Sequence, residues 1–317
     1  MTPLIECVDV TKRFGGFTAL SNLNLTVPQG VVHGYLGPNG AGKSTTIRML
    51  VGLSRPTSGV VRVLGEDPAE PTVRSRIGYL PGELRLDDRL TIEQTLLSWA
   101  RLRGTHDASY RDELVRRFDI DPARSVRGLS TGNRRKVGLV GAFMARPDLL
   151  ILDEPTNGLD PLMQQVFLAC VEEARANGQS VLLSSHVLSE VERVADQVAV
   201  LQGGRLVASG TTGELRREAA QRVRLTFAAG EAVPLAALAE LPGASHVASH
   251  SSDDTEVSLS WTGPPDELVR LLAQSRLVSL TVPEPDLEEA FLGYYERSGE
   301  TGAADAQAVG EPRAGIR

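Results

Sequence analysis

Gly37-Pro38-Asn39-Gly40-Ala41-Gly42-Lys43-Ser44-Thr45 is the stretch on which the reading of this chain turns. Ahead of it, Val31, Val32, His33, Gly34, Tyr35 and Leu36 are mostly apolar and β-prone, which predicts a short buried strand. Behind it, Ile47, Leu50, Val51 and Leu53 recur at helical spacing, which predicts a helix from Ser44 onward. Between a strand and a helix N-terminus, glycines let the main chain curl without a Cβ clash. Unpaired N–H groups and the helix dipole there attract an anion. Lys43 adds a point charge, and the Ser44 hydroxyl can ligate Mg²⁺. Glycine content alone would describe an ordinary turn. Strand, loop, Lys-Ser pair and helix in this order describe a phosphate-binding loop, with a nucleoside triphosphate as the expected ligand of residues 37–45.

The 317 residues leave room for one large domain and a small one. A formal net charge of −7 argues against a general nucleic-acid binder, which carries a basic excess. Cys7 and Cys170 form no C-x-x-C, so a reducing cytosol is the simplest home. The first residues lack the charged and apolar regions of a signal peptide. The best apolar run, residues 137–152, is broken by Arg146, Pro147 and Asp148, so no membrane span is expected and any role at a membrane runs through a partner.

Three regions are expected. Residues 1–221 alternate strands and helices around a largely parallel sheet, with residues 83–147 mostly helical and a hairpin around Gly203-Gly204. Residues 222–297 change rhythm. Val223, Leu225 and Phe227 alternate as in a half-buried strand, residues 235–241 and 267–273 read as helices, and residues 245–250, 255–261 and 277–282 read as strands. That order, βαββαβ, predicts a small α+β unit of ferredoxin-like type, closed by a helix from Asp286 with Glu289 as a capping partner. Residues 298–317 are rich in Gly, Ala and Glu and are expected to form a disordered tail.

Leu149, Leu150, Ile151 and Leu152 form an apolar strand that ends in Asp153 and Glu154. At the C-terminal edge of such a sheet, Asp153 can hold Mg²⁺ or its water, and Glu154 can deprotonate an attacking water. Alone, the pair equally describes a strand followed by an acidic cap. Leu129-Ser130-Thr131-Gly132-Asn133 precedes a predicted helix, where Ser130 suits an N-cap.

With these motifs in this order, the chain resembles the ATP-binding cassette (ABC) family, over about its first 215 residues. The resemblance implies a P-loop NTPase fold: a mostly parallel core, an antiparallel β part and a helical subdomain. It also implies ATP and Mg²⁺ as ligands. Ser130 and the Gly132 N–H would face the γ-phosphate bound by the other subunit of a head-to-tail dimer. Asp160, in Asn157-Gly158-Leu159-Asp160, would lie at the dimer seam. His186, after the strand 181–185, would sense the γ-phosphate, Glu154 would be the general base, and Phe14 would stack on adenine.

Chain organisation resembles the ATPases of the ABC-2 exporter group. It implies the ATP-hydrolysing subunit of a transporter at the cytosolic membrane face, exporting a drug, antibiotic or polysaccharide through a separate transmembrane permease. The alternatives are a nucleotide-gated regulatory module of low turnover, a non-transport ABC ATPase, or an importer subunit. Three positions depart from the family pattern. Gly82 stands where a glutamine would touch Mg²⁺, Asn133 replaces the signature glutamine, and Lys136 replaces an arginine. Glu83 has two readings: it takes over the missing glutamine's task, or it opens a helix as a first-turn acid. His246 and His250, near Asp253 and Asp254, fit a solvated strand pair better than a zinc site. His33 reads as a strand residue and His106 as a loop one.

Overall fold

The chain opens on a long hairpin, β1 (Ile5–Phe14) and β2 (Phe17–Val27), in the computed structural model, which describes residues 3–104, 108–218, 221–250 and 255–282. Along β2, Leu23, Leu25 and Val27 are buried while Asn24 and Thr26 are exposed, the alternation of a sheet with one wet face. With β4 (Ser58–Val63) on the other side of β1, these strands form an antiparallel sheet in the order β2-β1-β4.

The strand that leads into the glycine loop is β3 (Val32–Leu36). It lies inside a six-stranded sheet with β5 (Ile77–Leu80), β6 (Leu149–Asp153), β7 (Ser180–Ser185), β8 (Gln197–Gln202) and β9 (Arg205–Thr211), in the order β5-β6-β7-β3-β8-β9. All pairings are parallel except β8 with β9, which Gly203 and Gly204 connect as the expected hairpin. Every residue of β3, β6 and β7 is buried, which explains why none of them alternates between apolar and charged positions.

Helices cover the sheets. α1 (Lys43–Leu50) follows the glycine loop, α2 (Pro71–Ser75) precedes β5, and α6 (Pro161–Ala176) and α7 (Leu188–Glu192) flank β7. The stretch expected to be mostly helical contains α3 (Ile92–Arg103), α4 (Ala108–Arg117) and α5 (Thr131–Phe143), but residues 83–91 and 118–130 carry no α-helix. Glu83 therefore opens no helix. It is exposed in a loop, and α3 starts only after Thr91, whose side chain accepts from the Gln94 N–H while Gln94 accepts from the Thr91 N–H. The Phe143 and Phe167 rings meet edge to face at 6.5 Å and tie α5 to α6.

Two compact units result, Met1–Thr211 and Thr212–Arg317. The division falls after Thr211 rather than after Gln221, which places α8 (Thr212–Glu218) with the second. That unit continues through β10 (Gln221–Phe227), α9 (Leu235–Glu240), β11 (Ala244–Ser249), β12 (Glu256–Trp261), α10 (Pro265–Leu272) and β13 (Leu277–Thr281). Its antiparallel sheet has the order β11-β12-β10-β13, the ferredoxin-like arrangement that the βαββαβ rhythm predicts. Val223, Leu225 and Phe227 point inward with Leu238, Trp261 and Leu268 to form its core. The expected helix from Asp286, the tail 298–317, Asp253-Asp254 and His106 lie outside the described residues.

Candidate active site

β3 delivers the chain to the loop at Leu36, and the loop closes on itself where the Ala41 N–H donates to the Pro38 carbonyl at 3.2 Å. It is also anchored from outside. Ala41 O accepts from the Gly204 N–H at 3.0 Å, and Gly204 O accepts from the Ser21 N–H on β2 at 2.9 Å. Two loop glycines are sterically required. A Cβ on Gly37 would stand 2.3 Å from Leu201 O, and one on Gly42, whose φ is +109°, 2.8 Å from Ala19 O. Pro38, Asn39 and Gly40 form the exposed rim. Ser44 is exposed and Thr45 half-buried in the first turn of α1, and Thr46 is locked below by the Tyr35 hydroxyl at 3.0 Å.

Lys43, the first residue of α1, folds back under this loop. Its Nζ donates to Gly37 O at 2.5 Å and to Pro38 O at 3.3 Å, and lies 3.4 Å from Glu154 Oε1. Strand register brings the acidic edge to the same place. Asp153 pairs with Ser184 across β6 and β7. The Ser184 hydroxyl donates to Asp153 Oδ1 at 2.6 Å and accepts from the Glu154 N–H at 3.0 Å. Glu154 has φ +51°, a left-handed conformation that costs a non-glycine residue about 1–3 kcal/mol and recurs at functional sites. The turn leaves its carboxylate between two cations or donors: Lys43 on Oε1, and His186 Nδ1 on Oε2 at 2.7 Å.

Asp153 is 3% exposed, and only its Oδ1 is engaged by Ser184. Oδ2 faces the turn after β5, where a Cβ on Gly82 would stand 3.0 Å away. A buried carboxylate with a free oxygen and the exposed Ser44 hydroxyl in the first turn of α1 are oxygen donors of the kind that suit a hard cation. Charge from the same edge is felt around it. Burial, then the Asp153 charge, push the Tyr79 phenol up.

Arg135 of α5 is 5% exposed and reaches this edge from the helical side. It donates from Nη1 to Pro81 O at 2.8 Å and to Asp153 O at 3.4 Å, and from Nη2 to Gly82 O at 2.8 Å. Burial pulls the guanidinium below its ordinary value, while the Asp153 and Glu154 charges oppose that.

The structure thus brings together the loop 37–45, Asp153, Glu154 and His186. The remaining expected residues take other positions. Ser130 caps α5, accepting from the Asn133 N–H at 3.3 Å, and is exposed. Gly132 packs so tightly on the chain after β6 that a Cβ there would be 2.3 Å from Gly158 O. Asp160 caps α6, accepting from the Met163 N–H at 2.9 Å. Phe14, 52% exposed, ends β1 with Lys12 Nζ 5.0 Å over its ring. Among the described residues no hydrogen bond joins Phe14 or Ser130 to the loop. His250 Nε2 bonds Ser258 Oγ at 2.6 Å, and no cluster of three His, Cys, Asp or Glu suited to a metal occurs among the described residues.

Ser184 and Arg135 are the two residues at this site that sequence reasoning passed over. Ser184 carried one signal, a hydroxyl in a fully buried strand after the apolar Val181, Leu182 and Leu183.

Comparison with known proteins agrees with this geometry. Residues 20–157 match the model of the ABC transporter family. Over 306 residues the chain is 38% identical to the daunorubicin/doxorubicin resistance ATP-binding protein DrrA of Streptomyces peucetius, covering 92% of each. The chain belongs to the ABC transporter family. This ABC ATPase is also 31% identical over 299 residues to the bacitracin transport ATP-binding protein BcrA of Bacillus licheniformis, covering 92% of this chain and 97% of that one. A solved ATP binding subunit of an ABC transporter matches with a TM-score of 0.64 at 34% identity, over 68% of this chain and 92% of its own. A dimeric cassette solved with ADP and Pi shares the fold at a TM-score of 0.59 and 22% identity.

The family places the protein as an ATP-binding, ATP-hydrolysing transporter subunit that works with a transmembrane partner. Among the described residues no helix is long and apolar enough to cross a membrane. A regulatory or non-transport role finds no support in these relatives, which are named for transport or resistance.

Proposed function

We propose that this ABC ATPase powers export of a small molecule through a separate permease, at the cytosolic membrane face, as one half of a head-to-tail homodimer. The observation that carries the catalytic reading is the Glu154 carboxylate held between Lys43 and His186, one residue beyond a buried aspartate. The export reading is supported by the relatives' names, daunorubicin/doxorubicin resistance and bacitracin transport.

In this reading the N–H groups of residues 37–45 and the Lys43 ammonium bind the outer phosphates of ATP. Asp153 and Ser44 hold Mg²⁺, which supplies charge neutralisation at the phosphates. Glu154 takes the proton of the attacking water, and a positioned base of this kind contributes about 10²–10⁴-fold. His186 holds the Glu154 carboxylate in place and contacts the γ-phosphate. Phe14, exposed at the end of β1, stacks on adenine. The N-terminus of α5, with Ser130 and Gly132, completes the site of the second subunit, and Asp160 lies at the seam. ATP closes the dimer and hydrolysis reopens it, a population shift set by the difference in affinity of the two states.

The test is transport itself. The chain is co-expressed with the membrane protein that copurifies with it, and ATP-driven movement of an anthracycline, then of bacitracin, is measured in inverted vesicles. Uptake that requires ATP and stops with Glu154→Gln supports the reading. ATP hydrolysis that moves neither probe and copurifies with no membrane protein would count against it.

A further inference from the structure

At the turn after β5, Gly82 offers no side chain toward Asp153. The turn is nevertheless fixed. Arg135 projects from the second turn of α5, beyond its Ser130 cap, and its guanidinium takes the Pro81 and Gly82 carbonyls at 2.8 Å each. The same Nη1 also reaches Asp153 O at 3.4 Å, at the end of the neighbouring strand. β5 and β6 pair side by side up to Leu80 and Leu152. Arg135 therefore staples the ends of two adjacent parallel strands just beyond their last pairing. A planar fork with several donors suits this task, whereas an ammonium is a point charge that cannot match it.

We propose that Arg135 is a positioning residue for the metal-holding edge. It clamps the Pro81–Gly82 turn against Asp153, and so supplies through backbone carbonyls the link between α5 and the nucleotide site that a side chain at position 82 does not make. The proposal rests on the reading of Asp153 as the carboxylate that holds Mg²⁺. Geometry ties the two. With a Cβ at 82 only 3.0 Å from Asp153 Oδ2, the turn forms the wall beside the free carboxylate oxygen, and any loosening of the turn displaces that wall.

Charge and position make opposite predictions here. Arg135 is a cation near Asp153 and Glu154, so deleting its charge alone would strengthen a divalent cation's hold. Loss of the clamp would weaken it.

The experiment uses the full chain and four variants: Arg135→Lys, Arg135→Met, Gly82→Ala and Asp153→Asn. The readout is the melting shift caused by a non-hydrolysable ATP analogue across a Mg²⁺ titration, with kcat and the KM for ATP measured below each variant's own melting temperature. Arg135→Lys and Arg135→Met are both expected to raise the Mg²⁺ midpoint about tenfold or more, the usual scale for losing a group that orients a metal ligand. Both should lower kcat while leaving the analogue's shift in EDTA unchanged. Gly82→Ala keeps Arg135 but pushes the turn from the other side, so it should move the midpoint in the same direction.

A lower melting temperature with an unchanged Mg²⁺ midpoint would mean a merely structural arginine and overturn the proposal. A normal Arg135→Lys beside an Arg135→Met that tightens Mg²⁺ binding would also overturn it, in favour of charge alone. Should the Arg135 variants not fold, an unchanged midpoint in Gly82→Ala overturns it. Asp153→Asn separates the two levels. If it leaves the Mg²⁺ midpoint untouched, the underlying metal assignment fails; if it raises the midpoint while the other variants do not, only the clamp fails.

Discussion

His186 Nδ1 lies 2.7 Å from Glu154 Oε2, so the residue after one buried strand is bonded to the residue after its neighbour. A carboxylate only accepts, so Nδ1 is the donor in this contact and Nε2 is left without its proton in the neutral ring. The opposite oxygen of the same carboxylate lies 3.4 Å from Lys43. Removing the acid while keeping its shape isolates its role. Glu154→Gln should bind ATP as the parent does and release phosphate about 10²–10⁴-fold more slowly. Size-exclusion chromatography with ATP should show a dimer of the variant. Phosphate release at the parental rate would place the base elsewhere.

Lys43 is the ammonium that the structure places directly beneath the loop carbonyls. Mg-ATP at a hundredfold excess over its Kd stabilises a protein by about 2.7 kcal/mol, which differential scanning fluorimetry reads as a melting shift. That shift should be present in the parent and absent from Lys43→Ala. A variant that shifts as far as the parent contradicts the assignment of the loop.

Ser184 serves two masters, Asp153 through its hydroxyl proton and the Glu154 N–H through its lone pair. Ser184→Ala leaves both buried groups short of a partner, at a cost of about 1–3 kcal/mol. Urea denaturation should show that loss. Turnover should fall as well, because the left-handed Glu154 loses the contact that fixes its backbone. Full activity at parental stability would show that Ser184 is a bystander.

His33 predicts a pH dependence of stability. It sits on β3 beside Gln197 and is 1% exposed. Burial lowers its pKa from the ordinary 6.5 to about 4, with Gln197 offsetting part of the effect. Between those values the unfolded chain binds a proton that the folded chain does not, so stability rises with pH and is lost as pH falls from 6.5 toward 4. The slope approaches about 1.4 kcal/mol per pH unit at most. Equilibrium unfolding of parent and His33→Leu across that range should show a flatter profile for the variant. Parallel profiles would mean that His33 does not titrate there.

What could be read from sequence was whatever depends on neighbours along the chain. The glycine loop, the apolar run into Asp153 and Glu154, and the Gly203-Gly204 hairpin each carry their signal within about ten residues. Ser184 and Arg135 do not. Ser184 matters because strand register sets it against Asp153, and Arg135 because α5 folds over a turn fifty-three residues away in sequence. Glu83 misled for a local reason. An acid ahead of a helical stretch suits a first turn, yet the Thr91 and Gln94 pair eight residues later was the true start. In the second unit the inward alternation of β10 was legible, since one face of its sheet packs on α9 and α10 and the other is wet.

The Gly204 backbone, bonded on one side to Ala41 and on the other to Ser21, has a consequence for how ATP is met. Through that glycine the loop is tied to the β8–β9 hairpin and to β2, two pieces of sheet. Ordering a flexible segment costs on the order of 1–2 kcal/mol per residue. An anchor that fixes a loop during folding removes that cost from ligand binding. In the proposed reading, folding has already set part of the shape that meets ATP.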